Sequence, residues 1–379
     1  MPNATRPKTA LVLSGGGARG AYQAGVLRGL VEQGMIGGDA ANFDVVVGSS
    51  AGSINAAAIA GRVDDLTMGV ERLGELWANI HAAQVYRTDV TSLGTTGARW
   101  AWDLTFGGIT RRSQPKSLLD TAPLRAFLAE HMPFDRIAAN VAEGRLDALA
   151  VIATDLHTSN GVVFLQTAAD VREWQRRRWR VERGTIGVPQ LMASSAIPIF
   201  FPAVEIDGCW FGDGSIRNTA PLSPAINLGA DRIVAIGVSG PPPVLTPKAE
   251  RPGPTIAEIA GVLLDAVMLD ALEVDVDHSE RVNASVLHAP TGDPAQPFRR
   301  VDVLWLRPSE LVRQLAAEYA HRIPRLVRYL MRGLGPDAAI TELTSYLLFD
   351  PQFCGELVEL GRVDVARERE RIAAFFSGR

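Results

Sequence analysis

The sequence predicts an α/β fold in which a mostly parallel sheet is covered by helices on both faces. Three observations carry this reading. Short, continuous apolar runs recur along the chain, the pattern of strands buried on both faces. In the first half, segments with helical spacing separate those runs. The chain is 379 residues long, 47% hydrophobic and 21% charged, enough to bury a large core with an ordinary globular composition.

The elements follow in order. "TALVL" (9–13) reads as a strand, and "GAYQAGVLRGLVEQG" (20–34) has the spacing of an amphipathic helix. "FDVVVG" (43–48) is a second strand, followed by the small-residue helix "AGSINAAAIAG" (51–61). Further strands are expected at 146–154, 161–166, 203–207 and 231–238. The proline-rich stretch 241–254 reads as an excursion, because "VDVLWLRP" (301–308) has the pattern of one more strand of the same sheet. Residues 342–376 are expected to be helical. The expected organisation is a catalytic α/β domain over 9–310 and a helical C-terminal extension over 311–379, packed on it.

Charge and cysteine content narrow the function. A net charge of −4 gives no reason to expect nucleic acid. Two distant cysteines, Cys209 and Cys354, build neither a disulfide framework nor a metal site. The N-terminus lacks a secretory pattern, and no apolar stretch approaches membrane-spanning length. The expectation is a soluble, cytoplasmic chain, with peripheral contact at a membrane surface left open.

Two glycine motifs compete for the chemistry. Gly15, Gly17 and Gly20 satisfy G-x-G-x-x-G after the first strand, the fingerprint of a dinucleotide-binding turn. Such a unit needs an acidic residue at the end of the second strand, whereas Asp44 stands at its beginning. The second strand instead runs into Gly48-Ser49-Ser50-Ala51-Gly52, a G-x-S-x-G turn with Ser50 at its centre. Acyl transfer from a serine needs preorganised N–H donors for the carbonyl oxygen, and glycines at a helix start expose their amides. The loop 14–20 therefore reads better as an oxyanion hole than as a nucleotide cradle. A serine also needs a base. "CWFGDGSIRNTAPL" (209–222) offers Asp213 between two glycines, where burial would raise its basicity.

These elements together resemble the patatin-like phospholipase family, serine hydrolases that use a Ser–Asp dyad without histidine. The glycine-rich motif is matched by Gly15-Gly16-Gly17-Ala18-Arg19-Gly20, the nucleophile motif by Gly48-Ser49-Ser50-Ala51-Gly52, and the aspartate motif by Asp213-Gly214-Ser215. The block 193–208 is similar to one that precedes the family's aspartate, and the tail "SYLLFDPQFCGELVELG" is similar to one in bacterial members. Ser215 departs from the Gly or Ala that usually follows Asp-Gly in the family.

The resemblance implies a three-layer α/β/α sandwich and hydrolysis of a lipid acyl ester through an acyl-enzyme. Ser50 would be nucleophile, Asp213 proton acceptor, and Gly15, Gly16 and Gly17 the oxyanion hole. Ala18, Arg19, Gly20, Gly48, Gly52 and Gly214 would support them. No metal or cofactor is implied. The alternatives are an esterase or thioesterase for soluble acyl esters, a nucleotide-binding protein, and an idle lipid-binding scaffold.

Plainer readings stand beside these. Ser49, Ser50 and Ser53 could be helix caps, and Asp213 a turn residue. Arg19 could orient the loop, meet a phosphate or lie on the surface. A triad of Ser50, Asp213 and His278 or His288 keeps the α/β-hydrolase order. The basic segment 171–183 could rest on anionic headgroups or form a solvated helix face. "RWAWDLTFGG" (99–108) could line an acyl pocket or form a satellite core.

Overall fold

A computed structural model describes residues 6–38, 40–87, 117–169, 178–241, 259, 262, 266, 270–287, 298–325, 327–328 and 343–378. The segment 99–108, most of the 241–254 excursion and residues 171–177 lie outside them, as does His288.

The apolar runs form one nine-stranded sheet among the described residues. Strands β1 (Thr9–Leu13), β2 (Val45–Ser49), β3 (Ala148–Asp155), β4 (Asn160–Thr167) and β5 (Trp179–Arg183) lie on one side. The short strands β6 (Val204–Ile206) and β7 (Cys209–Asp213) form a hairpin, and β8 (Arg232–Ile236) and β9 (Asp302–Leu306) complete the other side. The main order is β5-β4-β3-β2-β1-β8-β9. Pairing is parallel from β3 through β9 along this path and between β4 and β5; β4 runs antiparallel to β3.

Side chains alternate between the two faces, as strand geometry requires. On one face Leu11, Leu13, Val46, Val151, Val234 and Ile236 join helices α1 (Ala21–Glu32), α2 (Ala51–Ala60), α3 (Leu66–Ala78) and the late helix Pro351–Arg367 in a single core. On the other, Ala10, Val12, Val45, Val47 and Ile233 meet Leu222, Ala225, Leu272 and Val276 from helices Ser223–Asn227 and Asp270–Leu287. The result is the expected three-layer α/β/α sandwich.

One detail of register positions the site. Strand β2 pairs with β3 up to Ser49↔Ile152. At the next residue of β3 the partner changes, and Ala153 faces Asp213 of antiparallel β7. Two strands arriving from opposite directions therefore share one lane beside β3, and their ends meet.

Two expectations need correction. Residues 179–183 form the edge strand β5 rather than a helix face: Trp179 and Val181 pack on the second core while the intervening arginine bonds Asp155. Asp213 is the last residue of a strand rather than part of a free turn. Among the described residues no helix is long and apolar enough to cross a membrane, and no cluster of three metal-ligating side chains occurs.

Candidate active site

Ser50 sits where β2 hands over to α2, with φ 52° and ψ −130°. A side-chain-bearing residue rarely adopts this conformation, which costs of order 1–3 kcal/mol and persists only where surrounding structure enforces it. The flanking glycines show what enforces it. A Cβ on Gly48 would lie 2.3 Å from the Gly52 carbonyl oxygen, and one on Gly52 would lie 2.4 Å from the carbonyl oxygens of Leu13 and Ser14. The turn is clamped on both sides by backbone. The carbonyl of Ser50 accepts the amide (2.8 Å) and hydroxyl (2.6 Å) of Ser53, closing the first turn of α2.

At that meeting of strand ends, the Ser50 Oγ donates to Asp213 Oδ2 at 2.6 Å. Both residues are buried. The other carboxylate oxygen, Oδ1, accepts the Ser215 amide at 2.8 Å. Asp213 is also tied through its main chain: its N–H donates to Ala196 O at 3.0 Å, and its carbonyl accepts from Thr154 Oγ1 at 2.8 Å. Burial pushes the Asp213 carboxyl up to about 6 from its ordinary 3.8, against the opposing pull of the Ser50 and Ser215 hydrogen bonds. This is a carboxylate that takes a proton more readily than usual and touches the hydroxyl that would give one up.

The glycine loop is built against the same point. Gly15 lies so close that a Cβ there would stand 2.9 Å from Ser50 Cβ and 2.3 Å from Ser215 Oγ. Gly17 has φ 56°, and its Cα faces the Tyr346 carbonyl with no room for a side chain. A short 3-10 turn, Gly17–Gly20, then leads into α1. Beneath it runs a buried polar chain. Trp77 Nε1 donates to Asn55 Oδ1 (2.8 Å), Asn55 Nδ2 to Gln23 Oε1 (2.8 Å), and Gln23 Nε2 to the Ser14 carbonyl (2.8 Å). Every link is satisfied, so the loop is anchored to α1, α2 and α3 together.

Ser50, Asp213 and the loop Gly15–Gly17 converge. Arg19 is not on the surface: it is buried, donates to Ser345 Oγ at 2.9 and 2.6 Å, and lies 4.3 Å from the Tyr346 ring centre. Ala18 and Gly20 are buried in the same turn. A Cβ on Gly214 would lie 2.1 Å from Ile152 O, so β3 requires glycine there. Asp44 bonds the Thr9 amide (2.8 Å) and Arg6 (2.5 and 3.0 Å), bracing the entry to the sheet rather than facing the glycine loop. His278 is exposed on its helix, and both Asp213 oxygens already have the partners described, so no imidazole stands between acid and serine.

Sequence reasoning missed Ser194 and Ser195. Ser194 Oγ accepts the Ser50 amide at 2.9 Å and donates to Ile152 O at 2.6 Å, pinning the turn. The Ser195 hydroxyl is buried without a partner among the described residues and lines the cavity beside Ser50. The only signal was their place in the block 193–208, which gave neither a role. That cavity, about 40 Å³, is walled by apolar groups including Ile54, Trp77, Ile197, Phe201 and Phe349.

Residues 11–226, more than half of the chain, match the sequence model of the Patatin-like phospholipase family. The chain belongs to this family. Among similar curated proteins are uncharacterized NTE family proteins of Mycobacterium tuberculosis and Mycobacterium bovis. They are 27% identical over 237 residues, covering 62% of this chain and 50% of theirs. The chain thus spans about half the length of the curated relatives it matches. Among solved structures, human GIVD cytosolic phospholipase A2, in complex with methyl gamma-linolenyl fluorophosphonate, is 12% identical with a TM-score of 0.44. It covers 98% of this chain and 59% of its own. VipD from Legionella pneumophila is 14% identical with a TM-score of 0.31, over 81% and 62%.

Proposed function

We propose that this patatin-like chain is a serine acyl hydrolase that cleaves fatty-acyl esters of phospholipids or lysophospholipids through a Ser50–Asp213 dyad. The observation that carries the reading is the 2.6 Å hydrogen bond from Ser50 Oγ to a fully buried carboxylate. Geometry for proton abstraction is already made, and the carboxyl is shifted toward the pH at which it must act.

Ser50 Oγ attacks the ester carbonyl carbon while its proton passes to Asp213 Oδ2. The carbonyl electron pair moves onto oxygen, where the amides of Gly15–Gly17 and the positive end of α2 offset the charge. Collapse breaks the bond to the leaving alcohol, which takes the proton from Asp213. Water then attacks the acyl-enzyme, giving its proton to Asp213. The second collapse frees the fatty acid and returns that proton to Ser50 Oγ. No step calls for a metal or cofactor. In this reading residues 9–310 form the catalytic domain and 311–379 an extension packed on it, which contributes Phe349 to the cavity wall.

Labelling with a small fluorophosphonate, beside hydrolysis of a short-chain fluorogenic ester, tests the proposal. Wild type should label and turn over, and Ser50→Ala should do neither. Asp213→Asn should lose turnover by about a thousandfold or more, the scale of removing both proton transfer and its electrostatic support. Equal reactivity of Ser50→Ala and wild type would remove the serine from the chemistry.

A further inference from the structure

The apolar cavity beside Ser50 is small. At about 40 Å³ it has room for on the order of three groups the size of a water or methylene. Immediately behind it lies a far larger surface groove, about 750 Å³, between α3 and the helix Ala122–His131. The two spaces share three lining residues, Leu73, Leu76 and Phe127. These side chains are the wall between them. The groove is lined by apolar groups such as Ala58, Met68 and Pro133 and by charged ones that include Arg62, Arg72 and Glu130. Met68 is exposed there, with its sulfur accepting from Arg62 Nη1 at 3.5 Å.

Two members of the wall lie outside the buried core. Leu73 is buried in the core, while Leu76 and Phe127 are only partly buried. The Phe127 ring lies flat on the His131 ring, centroids 4.3 Å apart and 20° from parallel. His131 itself lines the groove, and its Nδ1 is 3.0 Å from the Phe127 carbonyl oxygen. Phe127 thus stands between the two spaces outside the fully buried layer, with its ring face covered by His131 alone among the ring contacts described.

We propose that the groove is a distal acyl subsite and that Phe127, with Leu76, is the gate that sets chain length. The first few carbons of an acyl group bound at Ser50 fill the inner cavity. A longer chain displaces Phe127 and lays its remaining methylenes along the groove floor past Met68. The occupant is the tail of the substrate itself, since the groove continues the space in which the carbonyl is held. The inference rests on the acyl-hydrolase reading above.

The test uses the full chain and 4-nitrophenyl acetate, butyrate, octanoate and dodecanoate, kept below their aggregation thresholds. In wild type, kcat/KM should rise less between butyrate and dodecanoate than the added methylenes alone would give, because Phe127 must be displaced. Phe127→Ala should raise the dodecanoate value about tenfold or more and leave acetate within about twofold, since each methylene admitted to an apolar site contributes a several-fold gain. Adding Met68→Glu to Phe127→Ala places a carboxylate in the path and should abolish the gain for dodecanoate alone. Leu76→Ala provides the same reading if Phe127→Ala does not fold. A chain-length profile unchanged by either truncation, or raised equally for acetate and dodecanoate, overturns the gate while wild-type labelling by a small fluorophosphonate leaves the hydrolase reading standing. A wild type that neither labels nor hydrolyses any of the esters overturns both.

Discussion

At Asp213 two demands oppose each other. As the proposed base, the carboxylate must be ionised to accept the Ser50 proton, yet its position is fully buried and its hydrogen-bonding partners are a neutral hydroxyl and an amide. Desolvation wins, and the carboxyl titrates at about 6. The sign for stability follows from linkage. A carboxyl whose pKa is raised by folding holds its proton more tightly in the folded state. Its contribution is therefore fully present below the unfolded value of 3.8 and is lost as pH rises through about 6. A shift of this size corresponds to about 3 kcal/mol. Asp213→Asn does not titrate, so its melting temperature should gain on that of wild type as the pH is raised from about 4 to about 8. A difference that stays flat with pH, measured by calorimetry, would show that the carboxyl is not shifted. Over the same interval kcat/KM for a short ester should rise with a midpoint near 6, because only the ionised form accepts a proton.

At the scale of elements, the C-terminal helix Pro351–Arg367 matters because it lies backbone to backbone on α1. A Cβ on Gly25 would come within 2.0 Å of the Val358 carbonyl oxygen, and one on Gly361 within 2.5 Å of the Tyr22 carbonyl oxygen. Small residues on both partners allow the approach, and Tyr22 Oη seals it by donating to buried Asp364 at 3.1 Å. Gly25→Val should push the pair apart and cost about 2–4 kcal/mol, seen as a lower urea midpoint. An unchanged midpoint would mean that the two helices can slide apart freely.

The elements differ in how far the sequence discloses them. Thr9–Leu13, Val45–Ser49 and Arg232–Ile236 are apolar throughout or nearly so, and strands buried on both faces leave that mark. Cys209–Asp213 does not, since Gly212 and Gly214 around the aspartate read as a turn; pairing with β6 and β3 makes it a strand. Trp179–Arg183 is hidden by its arginines, which an edge strand tolerates because one of its sides is open to water. Within the site, Ser50, Asp213 and the glycines were legible because each sits in a motif with local backbone demands. Arg19's partner was not: Ser345 lies 326 residues away, and nothing local encodes that contact. The gate at Phe127 was equally invisible, being defined by two cavities rather than by any run of residues.

For the molecule as a whole, the region matched by the family does not complete its own site. Phe349, which walls the cavity, lies beyond it; its ring stacks on Trp77 at 6.4 Å and meets Tyr86 edge-on at 6.2 Å. Tyr86 Oη holds the same segment by donating to the Leu347 carbonyl at 2.8 Å. Leu343, Leu347, Phe353 and Leu357 are all buried in the main core. A chain ending at residue 342 should therefore fail to give a soluble, fluorophosphonate-reactive protein. Recovery of full labelling from that fragment would show the last segment to be dispensable.

The shared lane beside β3 has a kinetic consequence. Ser50 belongs to a contact among early strands, while Asp213, its partner 163 residues later, pairs with the last residues of β3 beyond the stretch that β2 covers. Contacts that close so long a stretch of chain form late, because the loop entropy must be overcome before pairing repays it. On the proposed dyad, reactivity should thus be acquired late in folding. A refolding chain should therefore regain its early strands before it labels with a fluorophosphonate.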